Sequence, residues 1–161
     1  MQIDYLANHR HFIPTLALWT YQEWHHLRPG DSVERRIERL HDESGGSRIP
    51  TVFVAFDGSE LFGSAKLVVD DMEMKPELTP WLAGVFVAPD YRRRGIGAAL
   101  VHRVMDEART LGVPRLFLYT PSAAQFYSGL GWSLFERVNY REMEVTVMSH
   151  DLINPPPSTG R

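Results

Sequence analysis

Apolar and polar positions along the chain change period several times, and each change predicts an element. "QIDYLA" (2–7) reads as a short opening strand. From Phe12 to Leu27 the residues Phe12, Leu16, Trp19 and Trp24 fall on one helical face, with Pro14 in the first turn, where its missing N–H costs nothing. Pro29-Gly30 ends that run, and Asp31 with Glu34 predicts a capping box that opens a second helix reaching about Leu40. "SGGS" (44–47) is a loop. "TVFVAF" (51–56) and "LFGSAKLVV" (61–69) flank Asp57-Gly58, a hairpin signature. An acidic loop, "DDMEMKPELTP", then leads to a third β run, "WLAGVFV" (81–87).

Leu100, Val104, Ala108 and Leu111 recur every three or four positions, so about 95–111 is helical, with Gly112 as its left-handed cap. "RLFLYT" is a strand, Ser122 is expected to open a short helix through Leu130, and Gly131 closes it. "WSLFERV" and "REMEVTVMS" supply two last strands. The predicted order is a strand, two helices, three strands, helix, strand, helix and two strands. That is an α/β (α+β) chain with a mixed sheet and a helical crossover after its central strand. Residues 1–150 are expected to form one domain, and 151–161, with its "NPPPSTGR", a disordered tail.

Composition narrows the chemistry. The 161 residues carry a net charge of −3, which offers no global basic field to nucleic acid. There is no cysteine, so disulfides, thiolate metal sites and cysteine nucleophiles are excluded. Neither a leader pattern nor a long apolar stretch is present, so a cytoplasmic protein with no membrane partner is expected. Among the seven histidines, neither His9-x-His11 nor His25-His26 has the spacing that sets two ligands on one helical face, and no metal is expected.

Against that neutral background "PDYRRRGIGAAL" (89–100) is a local concentration of cations and glycines at a helix start. A helix N-terminus exposes amides without intrahelical partners at the positive end of its dipole. Gly95 and Gly97 let phosphate oxygens approach the backbone, and Arg92, Arg93 and Arg94 add charge suited to phosphate. The stretch therefore calls for a phosphorylated ligand. It lacks the Gly-x4-Gly-Lys-Ser/Thr of a nucleotide loop. It also lacks the third glycine of a dinucleotide fingerprint, because Leu100 stands there.

What remains, Arg92-x-x-Gly95-x-Gly97 after a β run ending "VFVAPDY", resembles the acetyl-CoA motif of the GNAT (GCN5-related) N-acetyltransferase superfamily. "AAQFYSGLGW" (123–132) is similar to a second segment of that superfamily, and the element order matches from residue 2 to about 148. The resemblance implies a GNAT fold, a sheet of about six to seven strands flanked by about four helices. It implies acetyl-CoA held by Arg92, Arg93, Arg94, Gly95, Ile96, Gly97 and Ala98, with Val87 on the pantetheine arm. It also implies that the Val85 amide meets the thioester carbonyl and that Tyr127 protonates the leaving thiolate. Where some members carry a glutamate base this chain has Trp81, which takes no proton.

The acceptor side is open. Asp70, Asp71 and Glu73, with Glu77 close by, form an acidic rim before the third strand of the central run, and Trp24, His25, His26 and Trp81 are candidate walls. A negative rim with aromatic walls favours a cationic amine. The expected activity is N-acetylation of a primary amine by direct attack in a ternary complex. A non-catalytic acyl-CoA-binding module and an arginine-docking interaction protein are the alternatives.

Overall fold

A computed structural model of the chain describes residues 1–153. The elements are β1 (Gln2–Tyr5), α1 (Ile13–Trp24), α2 (Val33–Glu43), β2 (Thr51–Asp57), β3 (Glu60–Val68), β4 (Trp81–Val87), α3 (Ile96–Thr110), β5 (Arg115–Thr120), α4 (Ala124–Gly129), β6 (Ser133–Tyr140) and β7 (Met143–Asp151). The seven strands make one mixed sheet in the order β1-β2-β3-β4-β5-β7-β6, and the β4–β5 pair is its parallel one. Element order and sheet agree with the sequence expectation.

Alternation along β2 shows how the sheet is sandwiched. Val52, Val54 and Phe56 pack under α1 and α2 with Leu6, Ile13, Leu16 and Leu40. Phe53 and Ala55 point the other way, against Leu100, Val101, Val104 and Ala108 of α3. The period of two in the strand and of three to four in the helices makes each layer apolar towards the next. Leu100 is fully buried, and its truncation to alanine would cost about 2–5 kcal/mol. Over β5, β6 and β7 the α1/α2 side is covered instead by the loop between β3 and β4, whose Met72 and Leu78 join Trp81, Phe117, Tyr140 and Val147.

Several local expectations shift. The α2 cap is Ser32, whose hydroxyl accepts from the Arg35 amide at 3.0 Å. Asp31 is drawn away by the Arg36 guanidinium, 2.7 Å from its carboxylate. The first hairpin closes at Asp57↔Glu60, so its two turn residues are Gly58, at φ +57°, and Ser59. The turn before α4 is held by Thr120, not Ser122: the Thr120 hydroxyl accepts from the Ala123 amide at 2.9 Å. The expected tail begins too early, since Asp151 ends β7 and Leu152 is buried with its amide donating to the Pro114 carbonyl. Residues 154–161 lie outside the described residues.

Candidate active site

The site begins with a break in the sheet. In the β3–β4 ladder Ser64 faces Phe86 and Lys66 faces Ala83, so Gly84 and Val85 together stand opposite Ala65. This β-bulge requires a left-handed residue, and Gly84, at φ +57°, supplies it. Gly63 allows the close approach across the ladder, because a Cβ there would collide with the Phe86 carbonyl. The bulge bends β4 away from its other neighbour. β4 and β5 pair in register only at Trp81↔Phe117, where the Phe117 amide reaches the Pro80 carbonyl at 3.1 Å. Beyond that point a cleft of about 430 Å3 opens between them.

The arginine–glycine loop follows β4, whose Val85 lines the cleft, and leads into α3. Gly95 is the N-cap of α3 at φ +79°, and the first α3 bond runs from the Ala99 amide to its carbonyl at 3.0 Å. Among the described residues, no protein acceptor takes the amides from Arg93 to Ala98. A Cβ built on Gly95 meets nothing within 4 Å, so the space before these amides is open. The three arginines are exposed but not equivalent. Arg92 donates through Nε to the Val87 carbonyl at 2.8 Å and lies over the Phe86 ring, which ties the loop back to β4. Arg93 takes φ +65°, and Arg94 stacks over Tyr91. Arg93 and Arg94 carry the charge that is left for a ligand.

Along the cleft, Val85 is half-buried on the β4 wall and Tyr127 faces it from α4. Burial pushes the Tyr127 phenol up to about 12, and no protein group bonds its hydroxyl among the described residues. It therefore holds its proton at working pH and has it free to donate.

The far end is formed by the acidic loop, α2 and the segment after α1. Asp70 and Asp71 both line it. Burial pushes the Asp71 carboxyl up to about 6, more strongly than Lys66 and Arg28 pull it down. Tyr119 beside it is also raised, first by burial and then by the Asp71 charge. Trp24 lines the cleft and packs edge-on against Phe86, their centroids 5.9 Å apart.

Three expected walls are elsewhere. Trp81 is fully buried in the core, its indole donating to the Leu78 carbonyl at 2.7 Å, because Met72 and Leu78 of the β3–β4 loop cover it. His25 and His26 sit on an exposed 3-10 turn after α1, with His25 Nδ1 2.9 Å from the Tyr21 carbonyl, and neither lines the cleft. Glu73 lies in an adjoining hollow, 3.6 Å from the Arg141 guanidinium, and does not line the cleft.

Sequence reasoning also missed a set of residues. Arg28, Arg36, Arg39, Glu43, Lys66 and Arg141 all line the cleft. Arg36 and Arg39 share a face of α2 at i,i+3, which in isolation reads as a solvated polar stripe. Arg141 comes from the β6–β7 turn, 114 residues after the Leu27 carbonyl to which it donates at 2.8 Å.

A sheet parted between parallel strands, with unpaired amides at the start of α3 and a phenol lining the cleft beside the bulged strand, is an arrangement that can receive an extended ligand. The family model described as the Acetyltransferase (GNAT) family matches residues 13–132. The chain belongs to that family, and it is an acyltransferase that takes its acetyl group from acetyl-CoA. Solved structures share its fold. An aminoglycoside 6'-acetyltransferase type Ii is 20% identical with a TM-score of 0.77, over 97% of this chain and 100% of that one. An aminoglycoside 6'-N-acetyltransferase complexed with coenzyme A is 18% identical with the same TM-score, over 97% and 99%. A ribosomal-protein-alanine N-acetyltransferase from Brucella melitensis is 18% identical with a TM-score of 0.72, over 94% and 99%. No curated protein matches by sequence.

Proposed function

We propose that the protein is a single GNAT domain that moves acetyl from acetyl-CoA to a primary amine by direct attack in a ternary complex. One observation carries this reading: the cleft runs from the open end of the split sheet, past Val85 and Tyr127, to the carboxylates Asp70 and Asp71. The pyrophosphate sits at the Arg93–Ala98 amides, with Arg93 and Arg94 beside it, and the pantetheine arm follows β4 along Val87.

The acceptor arrives as an ammonium and is received at the Asp70–Asp71 end, where Asp71 is the base that takes its proton. Trp81, buried in the core, takes no part in this proton transfer. The free amine attacks the thioester carbon, and a C–N bond forms as the carbonyl oxygen gains charge. The Val85 amide donates to that oxyanion. Collapse breaks the C–S bond, and the thiolate takes a proton from the Tyr127 hydroxyl, which solvent restores. The products are the N-acetyl amide and CoA thiol, and the two protons shed by the ammonium leave through Asp71 and solvent. With no cysteine in the chain, an acetyl-cysteine intermediate is impossible, and direct transfer gains from the positioning that the cleft provides.

The test is incubation of purified protein with acetyl-CoA and a panel of primary amines. CoA release is followed with a thiol reagent, to which a cysteine-free enzyme gives no background, and the product is identified by mass. N-acetylated product is the expected result. CoA binding without turnover of any amine would identify a sensing module instead.

A further inference from the structure

The acidic loop alone favours a cationic amine, yet the folded cleft holds more positive than negative side chains. Arg28, Arg36, Arg39, Lys66 and Arg141 line it together with Glu43, Asp70 and Asp71. The pairing leaves the charges unevenly met. Lys66 and Glu43 cancel at 2.7 Å. Arg36 is held by Asp31 at 2.7 Å, and the same carboxylate is 3.7 Å from Arg39. Asp31 is thus the one carboxylate paired with the trio of Arg28, Arg36 and Arg39 among the described residues.

The half-buried Arg39 experiences this imbalance. Its ionisation is pulled down first by desolvation and then by the neighbouring Arg28 charge, only partly offset by Asp31. A guanidinium withdrawn from water beside two others is costly unless an anion meets it. Guanidiniums present planar forks matched to a carboxylate. Asp70 and Asp71, which suit an ammonium, line the same end of the cleft.

We propose that the acceptor is a small zwitterion, an amino acid or short peptide, whose ammonium meets Asp70 and Asp71 and whose carboxylate is held by Arg39 and Arg28. This rests on the N-acetyltransferase reading above and names the substrate class of that same site. An acceptor with positive charges throughout would put them against the arginine trio, where repulsion acts in a cleft partly shielded from solvent.

The test compares acceptors that differ only in the anion: alanyl-alanine with its C-terminal amide, and 6-aminohexanoate with its amide and with 1,6-diaminohexane. The wild-type enzyme should prefer the acids by about 10- to 100-fold in kcat/KM, the range of one charge-assisted contact. Arg39→Gln should erase that preference by raising KM for the acids, and Arg39→Lys should restore part of it. In parallel, calorimetry on the CoA-loaded protein measures N-acetylalanyl-alanine against its amide, which needs no turnover. Equal kcat/KM for acid and amide, a preference for the diamine, or equal binding of the two products would overturn the zwitterion while leaving N-acetylation intact. Failure of every amine to be acetylated, with the acid product still bound in preference, would instead overturn the catalytic reading and keep the anion site.

Discussion

Replacing Asp71 by asparagine keeps the side chain's size and removes its charge, so it isolates what burial of that carboxyl costs. In the folded protein burial moves the ionisation from 3.8 to about 6. Below the lower value the group is protonated in both folded and unfolded chains, and it contributes no difference. Between the two, the unfolded chain has lost a proton that the fold retains, so stability falls by about 1.36 kcal/mol per pH unit. Above about 6 both are ionised, and the full penalty, about 3 kcal/mol, is present. Asp71→Asn is therefore expected to raise the unfolding free energy by about 2–3 kcal/mol at about pH 8 and to change it little at about pH 4. Urea denaturation of both proteins at the two pH values measures this directly. The same substitution should slow amine acetylation and remove the acid limb near pH 6 from the kcat/KM profile, because the proton acceptor is gone. A stability gain of the same size at both pH values would refute the reasoning, since it would come from packing or hydrogen bonding and not from a buried charge.

Gly95→Ala places a Cβ in the open space before the α3 amides and forces a left-handed residue, so stability should drop by about 1–2 kcal/mol. Acetyl-CoA affinity by calorimetry should weaken by about tenfold or more, and unchanged affinity would move the pyrophosphate elsewhere. Tyr127→Phe keeps the ring in its pocket and removes a hydroxyl without a protein partner, so the melting temperature should hold. Single-turnover transfer should slow, with about 10²- to 10⁴-fold as the outer range, and an unaltered rate would make Tyr127 a packing residue. Gly63→Ala drives a methyl into the Phe86 carbonyl and should cost about 1–3 kcal/mol while disturbing the bulge that carries Val85. Urea midpoints and acetyl-CoA affinity should fall together; full retention of both would show that the ladder tolerates the methyl.

Elements with a sustained period were legible in the sequence, and features made by distant chain segments were not. The alternation in β2 and the three-to-four repeat in α3 are local, so they announce themselves. So did the glycines and arginines of 92–97, because a helix start is built from adjacent residues. The cap of α2 went to Ser32 because Asp31 was claimed by arginines one turn into the helix, a competition that a four-residue pattern does not reveal. Trp81 looked available because the resemblance set it at a position near the acceptor, yet the β3–β4 loop covers it. The β6–β7 turn hid itself: Arg141 and Glu142 both adopt positive φ, at 52° and 64°, without the Asn or Gly that marks such turns. Its arginine then reaches Leu27 and Glu73, so a residue near the end of the chain closes a site begun in the first helices. The arginines of the cleft went unseen for the same reason, since the acidic loop is contiguous and they are gathered by folding.

The parting of β4 from β5 has a consequence for how the protein avoids its own kind. Two strands that separate expose a pair of unpaired backbone rims, the surfaces through which β proteins add foreign strands and assemble into fibres. Here both rims face each other across a cleft whose far side is closed by α1, α2 and the Asp70–Asp71 loop. In the function proposed above, a slender pantetheine chain runs between them and meets their backbone groups, where a second polypeptide, with side chains on both faces, has less room. The sheet thus keeps its sticky edges in its interior, turned towards each other and away from neighbouring molecules.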